Sequence, residues 1–203
     1  HFAANFTRAG GRILFEQMSP LGVDDHRAEI VRVRETKPDV IFAPYFGTNL
    51  GAVLKQLREA KIETPVISVY EAEDPSVISV AGESAEGIRF FEPEPMLDNI
   101  NRRQFKQDFL KAFGYAPRIL AANAYDAAYL LTKALDFCAK EPTCVQQRLL
   151  GTQNYDGASG VFSIAENRAA ERPFTLKTCE NGLFTALANR DNTMRANFNP
   201  PKK

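Results

Sequence analysis

Residues 39–45 (DVIFAPY) are apolar on both faces of an extended chain, and the turn residues Gly47-Thr48-Asn49 follow at once. A strand with two apolar faces needs covering twice, and helices packed on both sides of a parallel sheet are the usual solution. The next residues supply such a cover. Leu50, Val53, Leu54 and Leu57 recur at helical spacing, and Lys55 and Glu59 lie four apart on the wet side. Upstream, Phe2 and Phe6 share a helix face, Gly10-Gly11 stops that turn, and residues 12–15 read as a strand. Asp24 and Asp25 then cap a helix carrying Ile30, Val31 and Val33 inward, and Lys37-Pro38 ends it. Downstream, residues 65–69 form the next strand, Asp74-Pro75 supply an N-cap and first helical residue, and residues 87–91 form another strand. Three successive strand and helix units predict a doubly wound α/β layer.

The pattern changes after Phe91. Glu92-Pro93-Glu94-Pro95 is stiff and polar, as a crossing between two bodies should be. Helical patterns follow at 101–113, 117–139 and 143–150, with no new strand beside them. The middle one, AANAYDAAYLLTKAL, sets Tyr125, Tyr129 and Leu130 on one side and is expected to be well buried against a sheet or partner helices. From Gly157 the pattern returns to β: GVFSI, a turn through Asn167, FTLKT, the hairpin signal Asn181-Gly182, and LFTAL. Residues 188–203 read as a loose tail. A length of 203 is long for one simple domain and short for two.

Charge and composition narrow the function. Twenty-five basic residues balance 25 acidic ones, so no global field recruits nucleic acid or an anionic bilayer. The longest apolar runs, such as 40–43, fall far short of the roughly 20 residues that span a membrane. No signal-like stretch precedes His1 and the chain does not begin with Met, so it reads as processed, trimmed or incomplete. The two histidines, His1 and His26, give a Ser/His/Asp or Cys/His centre little to draw on. Asp24-Asp25-His26 cannot all converge on one ion from a helix start, so they read as a cap with a solvated His. Neither a metal nor any other cofactor is expected. A small nucleotide-binding α/β enzyme using the turn from Gly47 to Gly51 is the rival reading, and the absence there of both the P-loop and the G-x-G-x-x-G spacing counts against it.

The strand ends hold the best candidate site. In open parallel sheets the carboxyl ends of the strands line the ligand crevice. Tyr45, Phe46, Gly47, Thr48 and Asn49 end one strand, and Tyr70, Glu71 and Glu73 end the next. Aromatics there cover an apolar or zwitterionic ligand, Thr48 offers a hydroxyl, and Glu71 suits an ammonium group. The plainer alternative is aromatics that cap the sheet edge beside solvated acids. Cys138 and Cys144 also leave two readings open, a small loop disulfide in an oxidising compartment or a pair of reduced thiols, with Cys179 left over.

Four blocks, in this order, resemble the type I periplasmic binding proteins of the leucine/isoleucine/valine-binding family: KPDVIFAPYFGTNLGAVLKQLREAKIETPVISV, AGESAEGIRFFEP, AANAYDAAYLLTKAL and YDGASGVFSI. The resemblance covers almost the whole chain but only the C-terminal half to three-fifths of the family's domain pair. It implies two doubly wound parallel-sheet lobes joined by hinge crossings, the first incomplete here. Residues 1–91 would be the second lobe, and 92–155 the hinge crossing and helices of the first. Residues 156–190 would return to the second lobe, and 191–203 form the tail. The implied activity is non-catalytic: an extracytoplasmic receptor closes on an amino acid or small carboxylate and delivers it to an ABC permease. Related lobes also serve as sensory or regulatory modules. Carried over by position, Phe46 is the ligand-covering aromatic with Gly47 and Thr48 beside it, and the acid for the ligand's ammonium falls at Tyr70 or Glu71. Some relatives pair the cysteines before the YDG block, which implies a Cys138–Cys144 disulfide. A missing N-terminal segment or a second chain would complete the first lobe.

Overall fold

The computed structural model describes residues 2–20, 22–93 and 100–187. The Glu94-Pro95 half of the expected crossing, His1 and the expected tail therefore lie outside the described residues. The chain divides into two compact units, one of residues 1–91 with 176–203 and one of residues 92–175.

In the first unit the alternation read from the sequence becomes helices α1 (Phe2–Arg8), α2 (Arg27–Thr36), α3 (Gly47–Glu59) and α4 (Pro75–Ala81). Strand β1 (Ile41–Phe42) lies between α2 and α3, β2 (Val66–Val69) between α3 and α4, and β3 (Arg89–Pro93) follows α4. β1, β2 and β3 pair in parallel, with Ile41 opposite Val66 and Ile67 opposite Arg89. The core forms where α3 covers this sheet: Leu50, Val53, Leu54 and Leu57 are buried together with Val66, Ile88 and Phe90. Burying each such side chain contributes about 1.5–3 kcal/mol relative to leaving it in water. Gly51 permits the close approach of α4, since a Cβ there would lie 2.8 Å from Val80 Cβ and 2.9 Å from the Val77 carbonyl.

Three local expectations are corrected here. β1 covers two residues rather than seven: its ladder bonds to the next strand end at Ala43, and Pro44 has no N–H to extend them. Residues 12–15 form no strand, and Ile13 and Leu14 stay exposed, because so short an edge offers little ladder to join. On α2, Ile30 is buried but Val31 is half exposed, and the N-cap is His26 rather than Asp24 or Asp25. Asp25 instead accepts from the Arg27 amide at 3.2 Å, while Asp24 is held by the Asn49 amide group at 3.0 Å.

Two later strands, β7 (Phe174–Glu180) and β8 (Leu183–Ala186), extend the sheet to the order β1-β2-β3-β7-β8. Asn181 and Gly182 turn the β7–β8 hairpin with φ of 54° and 70°, as a two-residue primed turn requires. The Glu86 carboxylate fastens that turn, accepting from the Asn181 and Gly182 amides at 3.0 and 2.7 Å.

The second unit contains α5 (Ile100–Phe113), α6 (Ile119–Phe137) and α7 (Pro142–Leu150), followed by β4 (Tyr155–Gly157), β5 (Gly160–Ile164) and β6 (Ala170–Glu171). These strands form a separate antiparallel three-stranded sheet. Residues 156–175, which the sequence reading joins to the return crossing, group with these helices instead. Their anchor is Asp126 on α6, a buried carboxylate that accepts from the Ala158 and Ser159 amides at 2.9 and 2.8 Å. Arg102 on α5 donates to the Ala158 carbonyl at 3.1 Å, and Gly157 is a glycine because any Cβ would overlap the Asp126 carboxylate. The Cys138–Cys144 disulfide ties the end of α6 to α7, as the family resemblance implies.

α6 is not the well-buried helix its composition suggests. Tyr125 and Tyr129 are 48% and 45% exposed, and Leu120, Leu131 and Phe137 are open as well. Among the described residues of this unit no sheet covers these side chains.

Candidate functional site

The site grows from two strand ends of the first unit. After β1 the chain reaches Phe46, the N-cap of α3, and then Gly47 with φ of +48°, a conformation glycine adopts without strain. A Cβ on Gly47 would stand 3.0 Å from Ser76 Oγ in the first turn of α4. The openings of α3 and α4 therefore adjoin. After β2 the chain winds into a single 3-10 turn, Tyr70–Glu73, and Asp74 then caps α4 by accepting from the Ser76 amide at 2.9 Å and its hydroxyl at 2.6 Å.

The expected residues differ in exposure and in the contacts they make. Phe46 is 52% exposed, Thr48 is exposed, and Tyr70 and Glu71 are half-buried. Glu71 Oε2 is buried and has no hydrogen-bond partner. A buried carboxylate oxygen in that condition costs about 1–3 kcal/mol until a donor reaches it. Glu73 is different, because one of its oxygens forms an ion pair with Lys177 of β7. Its other oxygen, Oε2, is also buried without a partner.

Tyr45 and Asn49 serve the fold. The Tyr45 hydroxyl hydrogen-bonds Ser19 Oγ at 3.1 Å and its ring meets the edge of His26, while Asn49 donates to the Val23 carbonyl and to Asp24. His26 is not the solvated cap expected from the sequence. It is 2% exposed, and neither ring nitrogen has a partner. Gln56 bridges the same loop, accepting from the His26 amide at 2.8 Å and donating to the Asp24 carbonyl at 2.6 Å.

Two residues near the strand ends escaped the sequence reading. Ser76 had a usable signal, since it lies two positions beyond an Asp N-cap followed by Pro. Lys177 had none, because it reaches Glu73 from 104 residues away. Among the described residues no group of three or more His, Cys, Asp or Glu side chains is placed to hold a metal ion, and no helix is long and apolar enough to cross a membrane.

Comparison with known proteins agrees with this architecture. A family model described as "Periplasmic binding protein" matches residues 1–182. The Leu/Ile/Val-binding protein of Citrobacter freundii is 25% identical over 118 residues, covering 54% of this chain and 32% of that protein. Among solved structures, the leucine-binding protein LivK of Thermotoga maritima aligns with a TM-score of 0.77 at 24% identity, over 92% of this chain and 54% of its own. LivJ of Streptococcus pneumoniae, solved with isoleucine, gives a TM-score of 0.68 at 20% identity, over 91% of this chain and 55% of its own. A solute-binding protein of R. palustris, solved with benzoate, gives 0.70 at 19% identity, over 92% and 52%. The chain thus spans about half the length of these structures and a third of the curated relative. Their fold is the type I periplasmic binding fold, and the chain belongs to the periplasmic binding protein family.

Proposed function

We propose that this chain is part of an extracytoplasmic solute receptor that captures an amino acid and passes it to an ABC importer, without catalysis. In this reading the first unit is the second lobe of the receptor, and the crevice edge is formed by Phe46, Gly47, Thr48, Tyr70 and Glu71. The observation that carries it is the buried, unpartnered Oε2 of Glu71 at the carboxyl end of β2. A ligand ammonium satisfies that oxygen; a simple aromatic acid such as the benzoate of the R. palustris relative has no donor for it. Phe46 then covers the apolar side chain, and the adjoining starts of α3 and α4 provide polar groups around the ligand's head. A disulfide between Cys138 and Cys144 supports an oxidising compartment.

The second unit is, in the same reading, the helical part of the first lobe. Its open apolar faces on α5 and α6, including Phe113, Leu120, Tyr125 and Tyr129, are the surfaces that a sheet from an N-terminal segment or a second chain would cover. Thermal-shift screening tests the function. Leucine, isoleucine or valine raises the melting temperature, and Glu71→Gln removes that response. Stabilisation by nucleotides and not by amino acids would replace this reading with the nucleotide-binding one.

A further inference from the structure

In the second unit the end of α6, the length of α7 and strand β5 enclose an open groove of about 650 Å³. Its floor is apolar, made by Leu135, Val145, Leu149 and Ile164. The charged side chains lining it are Lys140 and Arg168, both exposed and neither matched by an acid in the lining. No ion pair or side-chain hydrogen bond engages either cation among the described residues. Glu141, adjacent to Lys140, is turned away onto the first turn of α7, where it accepts from the Thr143 and Cys144 amides. Both cations stand on fixed turns. The Lys140 amide donates to the Leu135 carbonyl at 3.1 Å inside the loop closed by the disulfide, and the Arg168 amide donates to the Ala165 carbonyl at 2.8 Å after β5. In a chain of zero net charge, two unmatched cations beside one apolar floor are a local excess of positive charge.

We propose that this groove is a second binding site, one for an amphiphilic carboxylate. An alkyl chain of about eight to twelve carbons lies on the floor and the carboxylate sits between Lys140 and Arg168, in a volume of the size that small ligands occupy. The site lies in a different unit from Glu71 and does not rest on the transport reading.

Isothermal titration of the full 203-residue chain with sodium decanoate, below its micellar concentration, tests this against decyltrimethylammonium, which has the same tail and the opposite head. Decanoate should bind saturably, at least about tenfold more tightly than the cationic amphiphile. The Lys140→Glu/Arg168→Glu variant should reverse that order, and Lys140→Gln/Arg168→Gln should weaken decanoate with the circular dichroism spectrum unchanged. Equal binding of the two amphiphiles, or decanoate binding indifferent to the charge reversal, overturns the proposal. Displacement of decanoate by leucine, or its loss in Glu71→Gln, overturns it as well, because either places the carboxylate in the crevice. Failure of leucine to bind leaves this prediction in force.

Discussion

His26 fills a slot that a hydrocarbon ring would fill better. Its imidazole packs against Tyr45 with both nitrogens buried and unbonded, while its backbone amide does the work of holding Gln56. Replacing it with Phe keeps the amide and removes the unsatisfied polar atoms. We expect His26→Phe to stabilise the fold by about 1 kcal/mol, read as a higher midpoint in urea; a lower midpoint would mean that the imidazole has an unseen partner. Glu141 carries a pH dependence. The Cys144 amide, and after it the Thr143 amide, lowers its carboxyl below the ordinary value of 4.5. A carboxyl depressed in the folded state contributes stability above its unfolded value, and that contribution fades as pH falls through the folded value. Wild type should therefore lose stability below about pH 4.5 more steeply than Glu141→Gln, in urea titrations across that range. Cys179 is the one free thiol, and burial, with Glu86 beside it, pushes it up. Iodoacetamide should label it only after unfolding.

At the scale of elements, the informative positions are those where two pieces of backbone approach. A side chain at Gly51 has nowhere to go between α3 and α4, so Gly51→Leu should cost about 1–3 kcal/mol or more through overpacking. Asp126→Ala should cost about 2–4 kcal/mol, because it leaves two buried amides without an acceptor and opens the link between α6 and the β4–β5 turn. Calorimetry on both variants checks these values, and an unchanged midpoint in either would remove that contact from the account. α3 was legible because its four leucine and valine positions keep strict helical spacing behind a glycine turn, and α4 because Asp74-Pro75 is an unambiguous start. The Asn181-Gly182 hairpin was legible for the same local reason. β1 is shorter than its apolar composition predicts because Pro44 cannot extend the ladder, and α6 is more open because an apolar helix declares that it needs cover but not whether cover is present. The roles of Glu86, Asp126 and Lys177 depend on partners 32 to 104 residues away, which no local pattern encodes.

At the scale of the whole molecule, the two units differ in how completely their apolar faces are covered. One unit carries a sheet covered by helices, and the other carries helices whose apolar faces stay open. The 203-residue chain should accordingly bind 1-anilinonaphthalene-8-sulfonate in its native state, and Tyr129→Lys/Leu131→Lys should reduce that fluorescence without lowering the melting midpoint. Native protein that leaves the dye dark would contradict the exposed face. The candidate site asks for a more direct measurement. Its aromatic and glycine positions follow from the strand-to-helix turn, but the assignment of the ammonium contact to Glu71 rather than Tyr70 comes from the buried, unpartnered oxygen. Amide chemical-shift mapping during titration with isoleucine reads that assignment residue by residue. Saturable shifts are expected at Gly47, Thr48, Tyr70 and Glu71, and they should vanish in Glu71→Gln. Shifts confined to other residues, or unchanged by that substitution, would contradict it.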